Sequence, residues 1–600
     1  MSWLNRRCKA GRNPYNECRD PLLNIPNGSP ELVSSMTKSE HGFPGATARP
    51  STIRPIGVYA LSGLASDGDR LFSIDTVRGY LVAIDPKTNN TVILNPYQLE
   101  DKEWMGVGGL SQADDTFWFT QDESVFWCDR DTLKPTFFAR LPYPADGVAV
   151  WDATVYVSSQ KSGYIHLFER SSGAKLGKFP QPGVGAETLA VNDSGLWVCD
   201  RDEQTVYCLN PRTGQIQLSA LTPFTSPTGI TFHPGEGNSE PTCYVVYADE
   251  EPYLRDNPNS ETPLELAFRD RTFIHPLHIY TNPDERYTLS NGFLIEISYV
   301  EELSQLDAVS LDNVEWRIAL PANTQRQRLR HVEPIGHPFT IEEQDGQQVA
   351  VFRFDHLKPF QGGLVGWKAI VEMYSLKYFL IPDDIDATLP LPAGFQRYLI
   401  DDDELSMDTP IIQQAARDGA GRETNVLRKM LRIRNFVYDR LSYGIQPKID
   451  TPDIAFERGV ASCGEYVGVL LALARLSGIA CRTIGRYKCP AHPESRHLPL
   501  EPDFNHVWLE FYVPGVGWLP MESNVDDVIE QGPYPQRYFM GLAWYHTELG
   551  KGIPFSKLNA DDKPEKLSVR HLAINHIRFQ ILDELVPAAA ITAPVNAVGT

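Results

Sequence analysis

Three residues in the last third of the chain have the types and the order that thiol chemistry needs: Cys463, His506 and Glu522. Cys463 stands in Val460-Ala461-Ser462-Cys463-Gly464-Glu465-Tyr466, directly ahead of an apolar run that begins at Val467, continues to Leu476 and stops at Ser477-Gly478. That pattern predicts a buried helix with a glycine at its C-terminal end, and it puts the cysteine at the helix head. Free backbone N–H groups and the positive end of the helix dipole favour a thiolate there. His506 falls in the alternating stretch 503–513, which predicts a strand with His506, Trp508, Glu510 and Tyr512 on one face. A Pro514-Gly515-Val516-Gly517 turn then reverses the chain, so that Trp518 to Glu522 run antiparallel beside the strand and Glu522 comes near His506. A helix-head thiol, an imidazole and a carboxylate in this setting form an activated nucleophile.

The elements that must position these groups lie on either side of them. Val426, Leu427, Met430, Ile433, Val437 and Leu441 recur at three- and four-residue steps, predicting an amphipathic helix, with a loop through Pro447 and Pro452 before the cysteine. Much earlier in the chain a unit of strands and turns repeats. Gly63-Leu64-Ala65, Gly109-Leu110-Ser111, Gly147-Val148-Ala149, Thr188-Leu189-Ala190 and Gly229-Ile230-Thr231 open successive copies, 46, 38, 41 and 41 residues apart. Such a period suits four-stranded propeller blades, and the region resembles an NHL- or quinoprotein-like β-propeller. Five copies are visible, and a further blade could come from 250–290 or from the N-terminal arm. Within it, Ala248-Asp249-Glu250-Glu251 reads as a solvated acidic loop rather than a cation site. From Phe293 the period is lost. The runs 293–300, 314–321, 349–354 and 369–374 predict strands of an antiparallel β-sandwich.

Composition bounds what this assembly can do. A chain of 600 residues exceeds what one core serves and predicts three or more domains. A formal charge of -22 disfavours nucleic acid and anionic membrane as partners. Nine cysteines in an odd, irregular set predict reduced thiols rather than a disulfide framework. With no apolar segment suited to a signal peptide or a membrane span, the sequence reads as a cytoplasmic protein. Cys489-Pro490-Ala491-His492 followed by His497 has one ligand-like gap but lacks a second close pair, so 490–502 reads as a proline-rich rim loop. No metal and no cofactor are expected.

Three blocks carry a wider resemblance: 458–466 around Cys463, 474–487 with Gly478 and Arg482, and His506-Val507-Trp508-Leu509-Glu510 through Trp518-Leu519-Pro520-Met521-Glu522. Together they resemble the transglutaminase-like core of the papain-like cysteine superfamily, and 293–382 is similar to the β-domain that commonly precedes such cores. The resemblance implies that Cys463 is the nucleophile, that His506 is general base and acid, and that Glu522 holds the imidazole where the family usually has aspartate. It implies acyl transfer at the amide bonds of a protein or peptide, with hydrolysis by water favoured over cross-linking to an amine. The expected organisation is multidomain: an arm at 1–55, an all-β propeller at 56–290, an antiparallel β-sandwich at 291–385, a linker at 386–420, an α+β papain-like transglutaminase core at 421–585 and a tail at 586–600. The propeller is expected to bind a substrate or a protein partner. The alternative is a non-catalytic scaffold whose degenerate transglutaminase-like domain serves protein binding.

Overall fold

A computed structural model describes residues 52–588, apart from 97–103, 105, 236–239, 257–263, 304–308, 403, 447, 492–494, 502–505, 562 and 564–566, with the backbone alone for 250–271 and 570. Most of the expected N-terminal arm and C-terminal tail therefore lie outside the described residues. The repeats at 63, 109, 147, 188 and 229 each fall on the first strand of an antiparallel sheet: Leu61–Ser66, Val107–Ala113, Gly147–Trp151, Glu187–Asn192 and Pro227–His233. The first four sheets have four strands each and the fifth has three. These first strands adjoin one another in chain order, and the fifth adjoins the first. A Cβ at Gly63, Gly109, Gly147 or Gly229 would meet the backbone of the next first strand at 2.5, 2.6, 2.5 and 2.8 Å, which is why the repeat carries glycine there. Hydroxyls tie the ring as well: Thr228 Oγ1 donates to the Leu61 carbonyl at 2.7 Å and Ser62 Oγ to that of Gly108 at 2.9 Å. The arrangement fits a propeller-like fold.

Two expectations about this region are corrected. The segment after His233 does not start a sixth sheet among the described residues, because its strands Thr242–Asp256 and Leu264–Leu277 belong to the fifth. Ile53, from the end of the arm, adds to the edge of that sheet by exchanging backbone hydrogen bonds with Ile274 at 2.8 and 2.9 Å. Residues 248–251 are part of the long hairpin strand rather than a solvated loop, since each pairs across to 269–272.

The middle of the chain forms two antiparallel sheets over one core. One contains Ile279–Asn282, Tyr287–Leu303, Gly363–Tyr378 and Gln327–Gly336; the other contains Thr340–Gln344, Gln347–Leu357 and Leu311–Ala319. Inward residues of the first, Ile295, Ile297, Trp367 and Val371, share a buried cluster with Trp316, Ile318, Val351 and Phe352 of the second. Both sheets are completed from far along the chain. Ala573–Leu585 pairs with Tyr287–Leu303, and Ser556–Asp561 pairs with Leu311–Ala319. Residues grouped by sequence with the C-terminal domain thus fasten it to the middle one.

Four α-helices follow among the described residues. The passage 386–420, read as a linker, holds α1 (Pro410–Ala420); α2 (Val426–Tyr438) is the expected amphipathic helix, capped by the Asn425 side chain, which accepts from the N–H groups of Leu427 and Arg428. The stretch after Pro452, read as loop, is α3 (Pro452–Arg458), with proline at its first position and Gly459 in the left-handed region at its end. Helix α4 (Cys463–Leu476) is wrapped by α1, α2 and α3 and lies against the three-stranded sheet of Cys481–Ile484, Trp508–Val513 and Gly517–Met521.

A buried arginine joins these parts. Arg326 donates to the carbonyls of Tyr374, His546 and Ala543 at 2.9, 2.9 and 2.8 Å and pairs with Glu548 at 2.8 Å. Burial opposes ionisation of Glu548, but Lys551 and Arg326 overcome it and bring the carboxyl down to about 2. Its folded pKa lies below the ordinary glutamate value near ~4.3, so its stabilisation is complete above that pH and is lost as pH falls towards about 2. Replacing Arg326 by alanine should lower stability by roughly 3–5 kcal/mol, read by urea unfolding at neutral pH, because Glu548 is left charged and buried. The acid-induced loss of stability in that interval should be smaller in Glu548→Gln.

Candidate functional site

Cys463 is the first residue of α4, and local chemistry fixes the chain that presents it. The two residues before Ser462, Val460–Ala461, pair in parallel with Ser442–Tyr443. Glu465 turns back so that its Oε2 accepts the Ser462 N–H at 2.7 Å, while its Oε1 accepts from the Asp450 N–H at 3.0 Å and from Arg458 Nη2 at 2.7 Å. This closes the helix head as a capping arrangement does. Tyr466, Val469, Leu470 and Leu473 are buried along the helix, so its axis is set by the core and the thiol is held at its end. Cys463 is half-buried, whereas Cys481 and Cys489 are buried.

His506 stands just before the strand Trp508–Val513; of the stretch predicted to alternate from 503, residues 503–505 lie outside the described residues. The His506 N–H donates to the Arg486 carbonyl at 2.7 Å. The hairpin is as expected: Leu509 pairs with Met521 and Val513 with Gly517. Continuing that register puts Glu522 across from Trp508, diagonally beside His506. His506 Nε2 lies 2.6 Å from Glu522 Oε1, with both side chains 1% exposed. The Cys463 thiol lies close enough to the same imidazole to help raise its pKa. Thus the structure brings all three sequence-predicted residues together.

The electrostatics follow from this geometry. Burial works against a charged His506, but the Glu522 charge, the neighbouring Cys463 thiol and the hydrogen bond that Glu522 accepts outweigh it and raise the imidazole above its ordinary value. Burial likewise works against a charged Glu522, yet His506, the hydrogen bond from His546 and the charge of Lys488 hold the carboxyl well below the usual range. Glu522 Oε2 accepts the Ser523 N–H at 2.8 Å. Oε1 takes a second imidazole, His546 Nε2, at 2.9 Å, and Lys488 Nζ lies 3.9 Å away.

His546 was not singled out in the sequence. It lies in the two-residue strand His546–Thr547, paired with Tyr487–Lys488, and is fully buried. No periodicity marks so short a strand. The available signal was a polar residue closing the aromatic run Trp544-Tyr545-His546, since a histidine buried among rings needs a partner.

Among the described residues no group of three or more His, Cys, Asp or Glu could hold a metal ion. Of the residues considered for zinc, Cys489 is buried with its Sγ 3.6 Å from the Pro490 carbonyl, and His492 lies outside the described residues. The loop after it runs along the C-terminal strand, with Leu500 and Phe579 exchanging two backbone hydrogen bonds at 2.7 Å. A separate hollow of about 300 Å³ opens at the ring of first strands, lined by Ser62, Asp122, Asp146, Glu187, Arg201 and Thr228 among others.

Residues 413–523 match the Transglutaminase-like superfamily, so the chain carries a transglutaminase-like domain built around this site. A curated relative, the protein-glutamine gamma-glutamyltransferase of Pseudomonas aeruginosa, is 24% identical over 108 residues, which is 17% of this chain and 16% of that protein. The chain thus aligns with about a sixth of that relative's length. A solved structure from Cytophaga hutchinsonii, named as a candidate cysteine protease, superposes with a TM-score of 0.35 at 16% identity, over 50% of this chain and 93% of that one.

Peptide-mapped labelling with iodoacetamide at neutral pH should modify Cys463 about tenfold or more faster than Cys481, because a helix-head thiol beside an imidazole is the accessible nucleophile. Burial pushes the Cys481 thiol up to about 12. The advantage should vanish in His506→Ala, and equal labelling of the two cysteines in the wild type would refute the site.

Proposed function

We propose that the chain is a thiol-dependent acyl-transfer enzyme acting on amide bonds of a protein or peptide, with Cys463 as nucleophile, His506 as general base and acid, and Glu522 as the group that orients the imidazole. The observation that carries the reading is the single imidazole held by Glu522 at 2.6 Å, with the Cys463 thiol near enough to act on its pKa. Cys463 Sγ attacks the amide carbonyl carbon, and the backbone N–H at the head of α4 faces the developing oxyanion. His506 passes its proton to the leaving amine as the C–N bond breaks, leaving a thioester on sulfur. A water molecule then attacks the thioester carbon, giving its proton to His506, and the C–S bond breaks to free the acid and restore the thiol. An amine in place of water gives a cross-link by the same steps. The partial likeness to a glutamyltransferase supports the thioester chemistry; we favour water as acceptor.

The five N-terminal sheets are read as a five-bladed β-propeller that binds the substrate or a protein partner, and the two middle sheets as a β-sandwich. The scaffold alternative rested on glutamate in the place of aspartate. The contact between Glu522 and His506 supports the catalytic reading instead.

Incubation with a glutamine-rich protein, with and without a fluorescent primary amine, separates the acceptors. Release of ammonia or of new peptide termini without amine incorporation is the expected result, while incorporation of the amine would assign cross-linking. Either activity should fall by about 10²-fold or more in His506→Ala. Neither activity in the wild type, or activity retained in Cys463→Ala, would overturn the proposal.

A further inference from the structure

Glu522 Oε1 carries two imidazoles, and the mechanism above uses only one of them. We propose that His546 is a positioning residue whose Nε2–H locks the Glu522 carboxylate towards His506. The inference rests on the reading of Cys463, His506 and Glu522 as acyl-transfer machinery.

Glutamate reaches its carboxylate through one more rotatable bond than aspartate, so a single hydrogen bond to His506 leaves the group with more ways to turn aside. Here three donors surround it: Ser523 N–H at 2.8 Å on Oε2, and on Oε1 His506 Nε2 at 2.6 Å and His546 Nε2 at 2.9 Å. The His546 ring is itself fixed. It stacks on Tyr545 at 5.0 Å between centroids, meets Trp508 edge-on at 5.1 Å and packs against Tyr538 at 5.3 Å. Its backbone pairs with Lys488, and its carbonyl takes Arg326 Nη1 at 2.9 Å.

The position of its proton follows from the neighbours. His546 Nδ1 is 3.2 Å from the Ala543 carbonyl, which already accepts the His546 N–H at 3.1 Å and Arg326 Nη2 at 2.8 Å. Nε2 faces a charged oxygen at the shorter distance, so the neutral ring carries its one proton on Nε2. The titratable groups around it are Glu522, His506, Lys488, Tyr538 and Tyr545. Burial above all, with the charge of Lys488, brings its pKa down to about 3, so His546 remains a neutral donor throughout the range in which His506 titrates. The two histidines on one oxygen thus have different tasks: one moves a proton and the other does not.

The test measures the second-order rate of Cys463 alkylation by iodoacetamide against pH, in the full chain. His546→Phe keeps the ring and removes the donor; His546→Asn keeps a polar group but cannot reach the Glu522 oxygen; His546→Gln places an N–H close to where Nε2 stands. The Phe and Asn variants should lose about tenfold in rate at pH 7, with the pH midpoint for thiolate formation moved upwards, and Gln should recover most of both. Should the Phe variant not fold, the Asn and Gln pair decides. A wild-type profile in Phe or Asn, or a Gln variant as slow as Asn with an unchanged circular-dichroism spectrum, would overturn the inference. His506→Ala separates the two levels: if it leaves the profile unchanged, the reading of the site fails; if it abolishes the advantage while His546→Phe does not, only the role of His546 fails.

Discussion

A carboxylate that is 1% exposed and held well below its usual pKa is the constraint on which the C-terminal half is built. Taken from water alone, such a group would accept a proton rather than remain charged. Glu522 stays ionised because hydrogen-bond donors converge on it from different parts of the chain. The hairpin brings His506, the next residue brings its own N–H, and the segment around 546 brings a second imidazole. Each donor is buried with it, so removing one leaves a charge that solvent cannot reach.

That demand explains why the last part of the chain is woven back through the middle. The segment 534–548 must lie beside the hairpin, and it is fixed from three directions. Arg326 and Lys377, both from the middle sheets, bind its carbonyls: Arg326 those of Ala543 and His546, and Lys377 those of Gln536, Arg537 and Phe539. The fourth N-terminal sheet reaches it too. Gln204 Oε1 accepts the Tyr538 hydroxyl at 2.8 Å and that of Tyr545 at 3.2 Å, Glu203 accepts the Gln536 N–H at 2.8 Å, and Trp544 donates to the Pro223 carbonyl at 2.8 Å. Burial raises the Glu203 carboxyl to about 8, as befits a group enclosed between two parts of one body. The N-terminal sheets therefore support the wall of the candidate site as well as offering a face of their own.

Local signals made much of this legible. The repeat marks the five first strands, four of them led by glycine because close approach of neighbouring backbones leaves no room for a Cβ, and one by Thr188. The apolar run after Cys463 marks α4, and the Pro-Gly-Val-Gly turn sets the register that carries Glu522 to His506. What escaped depends on long-range pairing. α1 lay hidden in an acidic, turn-rich passage whose helical part begins only at Pro410. The strands at 556–561 and 573–585 were grouped with the nearest domain, since alternation shows that a segment is a strand but not which sheet it joins. His546 escaped for the same reason: its partner is 24 residues back, and its two-residue strand carries no pattern.

Exposure is divided unevenly across the site, and that division shapes the chemistry. His506 and Glu522 are sealed, while Cys463 is half-buried at the end of its helix. Water screens an exposed ion pair and weakens it, whereas a sealed one keeps its full strength and its geometry. In the proposed cycle the imidazole would keep its orientation as its charge changes, because the carboxylate opposite it cannot exchange its hydrogen bonds for solvent. In the proposed chemistry the acyl group would sit on the half-buried sulfur, while the proton is handled at the sealed imidazole.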